Sequence, residues 1–217
     1  MWGDGAYDQR QNDVYGAALD SILLHARRSQ RLPRRLWPIV QTIRGGADLE
    51  ATWGATADEI KADILEHGVR EGVLRQHYAT DALDASTLLA AIFGFLPGND
   101  ERLRASVEAV ANDLTEDGFV LRYRTDETDD GLSGTEGSFL ICSFWLVSAL
   151  AIVGEEQRAR DLMEKLLRVA SPLGLYAEEF DTGTGQHLGN FPQAFSHLAL
   201  IEAAARIIIA ERLEEIS

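Results

Sequence analysis

Phe139-Leu140-Ile141-Cys142-Ser143-Phe144-Trp145-Leu146-Val147-Ser148-Ala149-Leu150-Ala151-Ile152-Val153 carries no charged residue and is apolar on every side of a helix drawn through it. A helix without a polar stripe has to be covered all round. The run is shorter than the roughly 20 residues that cross a bilayer, and charged residues flank it, so it reads as a core helix and not as a membrane span. Leu198–Ile209, the other strongly apolar window, reads the same way.

Working outward, the apolar spacing stays helical almost throughout. Val14, Ala17, Ala18, Ile22, Leu23 and Leu24 mark a helix over 11–29 that ends in Arg27-Arg28, basic residues suited to the negative end of its dipole. A second stretch runs from Pro33 to Ile43 and stops at Gly45-Gly46. A third starts at Thr56 or Ala57 and ends at Gly68. Asp81–Phe95, Asp100–Leu114, Glu136–Val153 and Glu155–Ala170 follow, with Gly118–Tyr123 as a short extended edge. The last helix is expected from Asn190, read as its N-cap, to Leu213. About eight helices and little sheet make an all-α chain.

The helices alternate in character. Those at 83–95, 138–153 and 191–209 are apolar nearly all round, whereas 100–115 and 155–169 are amphipathic. Buried helices inside amphipathic ones predict an α/α toroid, with one helix pair per repeat of about 54 residues. The loops 78–81, 125–137 and 176–189 then gather at one end. The expectation is a single domain over 1–217.

Charge and composition narrow the function. With 35 Asp+Glu against 20 Lys+Arg the formal charge is −15, and 46% of residues are hydrophobic, enough for a sizeable core. Such a surface repels phosphate backbones and anionic lipid, so neither nucleic acid nor membrane is expected as a partner. The single Cys142 excludes an internal disulfide and a multi-cysteine metal site, and inside its helix it reads as a small hydrophobe. The first residues show no basic segment followed by an apolar one, so a cytoplasmic protein is expected.

The chemistry has few candidate positions. Tyr176-Ala177-Glu178-Glu179-Phe180-Asp181 sets three carboxylates beside two aromatics. Crowded like charges raise one another's pKa, which suits a general base, and aromatic rings are platforms for sugars. The alternative is a solvated acidic turn leading into Thr182-Gly183-Thr184-Gly185. Asp126-Glu127-Thr128-Asp129-Asp130-Gly131 begins like a calcium loop, but its twelfth position is Gly137 where a bidentate glutamate is needed. His25, His67, His77, His187 and His197 lack metal-ligand spacing, and His197 reads as a satisfied core histidine. No glycine motif fits a phosphate, so neither metal nor other cofactor is expected. Arg122 and Arg124 alternate with Tyr123 on the extended edge, placed either to clamp hydroxyls or to pair with the acidic loop.

Leu188-Gly189-Asn190-Phe191-Pro192-Gln193-Ala194-Phe195-Ser196-His197-Leu198-Ala199-Leu200-Ile201, preceded by Tyr176–Asp181, resembles the C-terminal part of bacterial glycoside hydrolase family 15, which holds glucoamylases, related glucosidases and some trehalases. Asp81-Ala82-Leu83-Asp84-Ala85-Ser86, Tyr123-Arg124-Thr125-Asp126, Glu136–Trp145 and Asn12-Asp13-Val14-Tyr15-Gly16 agree with it. The resemblance spans roughly 10–40 and 53–210. It implies part of an (α/α)6 barrel and inverting hydrolysis of α-glucosidic bonds in oligosaccharides, starch-like glucans or trehalose, with a neutral carbohydrate as ligand. By the same resemblance Glu178 is the general base, with Glu179 next in line. Asp13 and Arg122 match positions that bind sugar hydroxyls, and Gln193 lines the same pocket.

The family's general acid lies in a W-E-x-R-G-like segment. The only counterpart is Gln41-Thr42-Ile43-Arg44-Gly45-Gly46, where aligning Arg-Gly puts Thr42 at the glutamate position. A threonine hydroxyl cannot protonate a leaving group as a carboxylic acid does. The segment at 41–53 is also shortened, since the resemblance resumes at Trp53. The family's N-terminal β-domain and first barrel helices are expected to be missing. Glu50 and Glu59 are the possible stand-ins for the acid, Glu59 reading as a surface charge. Three readings follow: a hydrolase of this family, an inactive sugar-binding or assembly module, or a truncated gene product. An incomplete barrel would expose apolar edges of inner helices, so self-association is expected.

Overall fold

The computed structural model describes residues 47–125 and 137–214, with side chains over 53–125 and 137–212. The helices expected at 11–29 and 33–43, Asp13, and the acidic loop over 126–136 lie outside the described residues. The chain falls into two units, Met1–Asp58 and Glu59–Ser217. Of the first, the described part is helical, within α1 (Ala47–His67).

The second unit is mainly α-helical. After α1 come β1 (Val69–Arg70), β2 (Val73–Leu74), a 3₁₀ turn (Ala85–Leu88) and α2 (Leu89–Ile92). Then follow α3 (Glu101–Asp113), β3 (Thr115–Glu116), β4 (Phe119–Val120), β5 (Ser138–Phe139) and α4 (Leu140–Ile152). α5 (Glu156–Arg168), β6 (Glu179–Asp181), β7 (Gln186–Leu188) and α6 (Ala194–Glu214) complete it.

The amphipathic helices form where their spacing predicts. In α3 the buried residues Leu103, Ser106, Val107 and Val110 fall at helical intervals on one face. Asp100 caps the helix, its Oδ1 accepting from the Arg102 N–H at 2.9 Å. The Arg102 guanidinium, 2.7 Å away, holds the Asp100 carboxyl down at about 2. In α5, Ala159, Met163 and Leu166 are buried, with Glu156 in the first turn and Lys165 and Arg168 in the last, as the helix dipole favours.

α4 is the centre of the core. Phe144, Leu140, Val147 and Ala149 are fully buried, and the helix packs against α2, α3, α5 and α6. Its start corrects the sequence reading: Ser138 and Phe139 are not helical but pair with Phe180 and Glu179 as the first strand of the sheet β5-β6-β7. The segment 176–189, expected as loop, supplies the other two strands, with Phe180 opposite His187.

A second correction is a repeated hairpin. Glu71-Gly72 and Asp117-Gly118 all have positive φ, which makes the two-residue turns of β1-β2 and β3-β4. Each second strand donates to a serine of the following long helix: the Leu74 N–H to Ser106 Oγ and the Val120 N–H to Ser143 Oγ, both at 2.9 Å. Both serines in turn donate to the carbonyl four residues back, Arg102 and Phe139. The extended edge expected over 118–123 is therefore regular strand only at Phe119–Val120.

The expected helix over 81–95 is shortened for a local reason. The Asp84 carboxylate accepts from the Ser86 N–H at 2.7 Å, and the Ala85 N–H donates to the Arg122 carbonyl at 2.8 Å, so the chain turns helical only after Asp84. The last helix starts at Ala194 and not after Asn190, which bonds elsewhere. Nor is it covered all round: Phe195, Leu198 and Ile201 are each more than 60% exposed. Phe93, in the first apolar helix, is exposed as well.

Candidate active site

The three acidic side chains of Tyr176–Asp181 do not converge. Strand geometry sends them to different partners. Asp181 closes the β6-β7 turn: its oxygens accept from the Thr184 hydroxyl at 2.6 Å and the Gly183 N–H at 2.9 Å, and these bonds lower its pKa. Glu179 Oε2 accepts from the Gly137 N–H at 2.8 Å. Glu178 alone of the three lines a cavity of about 410 Å³.

That cavity brings together Glu178, Arg122 and Gln193, three of the five positions singled out in the sequence. Glu179 is not among its lining residues, and Asp13 lies outside the described residues. Asp84, Tyr123, Phe139 and Trp145 complete much of the wall. Their signal was present in the motif stretches, but nothing in the spacing set them apart from core residues. Asp84 is the other carboxylate of the wall, and its oxygens accept from the Ser86 N–H and the Gln76 amide. Cys142 also borders the cavity while only 2% exposed.

The backbone under Glu178 is fixed from several sides. Tyr176 is buried to 1% exposure, its ring edge-on to Phe144 and its hydroxyl donating to the Leu166 carbonyl; burial raises its pKa. The Tyr176 N–H donates to His197 Nε2 at 3.3 Å and the Ala177 N–H to His187 Nδ1 at 3.2 Å. The opposite ring nitrogens sit 2.7 Å from the Gln193 carbonyl and 2.8 Å from the Val169 carbonyl. Each imidazole thus bridges two backbone groups, which agrees with the satisfied histidine expected at 197. Ser196 Oγ donates to the Ala177 carbonyl, and the Leu140 N–H donates to the Glu178 carbonyl at 3.0 Å.

Arg122 lies against aromatic faces. Its guanidinium carbon is 4.5 Å from the Tyr123 ring centre and 5.0 Å from that of Phe139, and it donates to the Tyr123 hydroxyl. Stacking of this kind fixes a guanidinium without neutralising it. Arg124 instead donates to the Asp113 carbonyl. Gln193 is held by its N–H, which donates to the Tyr176 carbonyl at 2.9 Å. A second cavity of about 380 Å³ shares Arg122 and Tyr123 and reaches Arg124, Ser138 and Asp181. Of the stand-ins for an acid, Glu59 is exposed on α1, and the Glu50 side chain lies outside those described. Among the described residues, no group of three His, Cys, Asp or Glu could hold a metal ion, and no helix is long and apolar enough to cross a membrane.

A carboxylate, a guanidinium stacked on aromatic rings and an amide thus meet on one partly aromatic cavity. The chain belongs to the glycosyl hydrolases family 15, whose profile matches residues 44–205. It is 48% identical to a trehalase of Mycolicibacterium smegmatis and 49% identical to a trehalase of Mycobacterium tuberculosis, over 96% of this chain and 38% of each relative. A trehalase of Thermoplasma volcanium is 40% identical over 71% of this chain and 25% of the relative. The chain thus spans under two fifths of the length of the mycobacterial relatives. Those two alignments run over 255 positions, more than the 217 residues of the chain, so the matched span of the relatives holds residues with no counterpart here. Among solved structures, a wild-type glycosidase aligns with a TM-score of 0.64 at 24% identity, over 77% of this chain and 47% of that one. A glycosidase in complex with glucose aligns with a TM-score of 0.64 at 23% identity. These two likenesses show the fold.

Proposed function

We propose that this chain carries the general-base half of an inverting α-glucosidase site that takes trehalose, on part of an (α/α)6 barrel. The observation that carries the reading is the meeting of Glu178, Arg122 and Gln193 on one cavity, from three separate parts of the sequence. Trehalose is favoured over starch-like glucans because the mycobacterial and Thermoplasma relatives are trehalases.

In this reading Tyr123, Phe139 and Trp145 offer apolar faces to a glucose ring, while Arg122 and Gln193 hold its hydroxyls, with Asp13 as a further hydroxyl ligand. Glu178 takes a proton from water as the water oxygen attacks the anomeric carbon from the face opposite the departing oxygen. Glu179 takes no part, because its carboxylate is bound to the Gly137 N–H and lies off the cavity. The departing oxygen needs a proton from an acid about 6.5–9.5 Å from the base. Thr42 at the position of that acid cannot supply it, and the extra residues in the relatives' alignments support a shortened segment at 41–53. Turnover of trehalose is therefore weak or lost, while sugar binding remains. That departure also favours the second reading, an inactive sugar-binding or assembly module. The exposed Phe195, Leu198 and Ile201 support self-association of the chain.

The test is glucose release from trehalose, maltose and soluble starch by the purified chain, beside Glu178→Gln. Release from trehalose above that of Glu178→Gln supports a working hydrolase. Equal rates, together with saturable binding of glucose by calorimetry, support the inactive module. Equal rates with no sugar binding refute the site.

A further inference from the structure

Glu178 has two carboxylate oxygens, and the structure treats them differently. Oε2 accepts from the Asn190 side-chain amide at 2.9 Å and from the Asn190 backbone N–H at 3.3 Å. A carboxylate bound by both donors of one residue is fixed in rotation as well as in place. Asn190 is held in its turn, because its carbonyl accepts from the Glu178 N–H at 3.0 Å, so the two residues grip each other through main chain and side chain.

The neighbouring glycine is shaped to this contact. Gly189 has φ +72, and a Cβ built on it would lie 2.9 Å from Glu178 Oε2 and 3.1 Å from Glu178 Cβ. Any other residue would meet both a disfavoured backbone conformation and the carboxylate itself. Asn190 meanwhile gives up the helix-capping role its sequence position suggests, and α6 starts only at Ala194. The Asn190 side chain is committed to the carboxylate instead.

We infer that Gly189 and Asn190 form a positioning clamp on Glu178, holding Oε2 so that Oε1 is the oxygen presented to ligand and water. This rests on the reading of Glu178 as the general base and deepens it. Among the described residues, the other charged or titratable groups on the cavity wall are Asp84, Arg122, Tyr123 and Cys142. His187 and His197 bond the backbone beside it. Among the described residues, Asn190 supplies the hydrogen bonds to Oε2.

The experiment is calorimetric titration of the full chain with two probes, the protonated iminosugar 1-deoxynojirimycin and neutral glucose. The cationic probe reads the placement of the carboxylate, whereas glucose reads the pocket as a whole. Asn190→Ala is expected to weaken the iminosugar about tenfold, the equivalent of one hydrogen bond to a charged group, and glucose less than about twofold. Gly189→Ala, which intrudes on the same oxygen by a different route, is expected to give the same selective loss. Glu178→Gln should lose the iminosugar at least as strongly. If both probes weaken equally in Asn190→Ala, or neither does, the clamp is overturned. If Glu178→Gln binds the iminosugar as the wild type does, or the wild type binds neither probe, the base assignment fails and the clamp with it.

Discussion

α4 and α6 have nearly the same kind of sequence and different surroundings. Both lack a continuous polar stripe, and both read as helices covered on all sides. α4 meets that expectation, with Phe144, Leu140, Val147 and Ala149 at 0% exposure. α6 buries Ala199 and Ala203 against the core and leaves Phe195, Leu198 and Ile201 more than 60% exposed. Apolar character all round a helix therefore does not by itself fix how much of the helix is buried. The same contrast bears on the site, because α4 follows directly on the Ser138–Phe139 strand that pairs with the Glu178-bearing segment, while α6 follows on Gln193.

The sharpest way to break this comparison is truncation on each helix. Phe144→Ala removes a fully buried ring that stands edge-on to Tyr176 and is expected to cost about 3–5 kcal/mol in chemical denaturation. A loss near that of a surface residue would mean that α4 is not the centre of the core.

A smaller effect is expected where the two helices are joined. Glu202 of α6 accepts from Arg206 at 2.6 Å and from Ser148 of α4, and Arg206 donates to the Ile92 carbonyl at 3.0 Å. The pair is only 15% and 17% exposed, so Arg206→Ala strands a largely buried carboxylate and should cost about 2 kcal/mol. Retained stability would show that α6 is held by its small apolar residues alone.

Asp100→Ala on the amphipathic α3 should cost about 1 kcal/mol at neutral pH. The folded-state pKa of Asp100, about 2, lies below its ordinary value of 3.8, so its contribution is present above that ordinary value and fades as pH falls toward 2. Denaturation of wild type and variant across that window should therefore converge at the acid end. A difference that persists there would assign the effect to helix propensity instead.

The smallest change in monomer stability is expected on the open face of α6. Leu198→Ala should stay within about 0.5 kcal/mol of wild type. Replacing Phe195, Leu198 and Ile201 together by serine should reduce association in sedimentation velocity. Unchanged association would remove that face from any self-contact.

Much of the fold was legible in residue patterns. α3 and α5 fall within a residue or two of expectation because acidic first turns and one-sided apolar spacing mark them. The hairpins were less legible, although Asp117-Gly118 is a turn dipeptide of the expected kind. Glu71-Gly72 is not, since glutamate seldom takes positive φ, and only the structural repeat with its matching serine exposes it. At the site, Glu178 and Glu179 are adjacent identical residues that composition cannot separate. Their divergence follows from a three-stranded pairing that depends on β5, distant in sequence. Asn190 was misread because an N-cap and a carboxylate clamp call for the same side chain.

The most direct test of the account uses α-glucosyl fluoride, whose fluoride leaves without needing a proton, so a site with a base and no acid can still act on it. Water adds to the anomeric carbon, the C–F bond breaks, and the water proton passes by way of Glu178 to solvent. Followed by proton NMR, the wild-type chain is expected to release β-glucose first, and Glu178→Gln is expected to release none above background. Release of α-glucose first, or equal release by Glu178→Gln, would contradict the placement of the general base at Glu178.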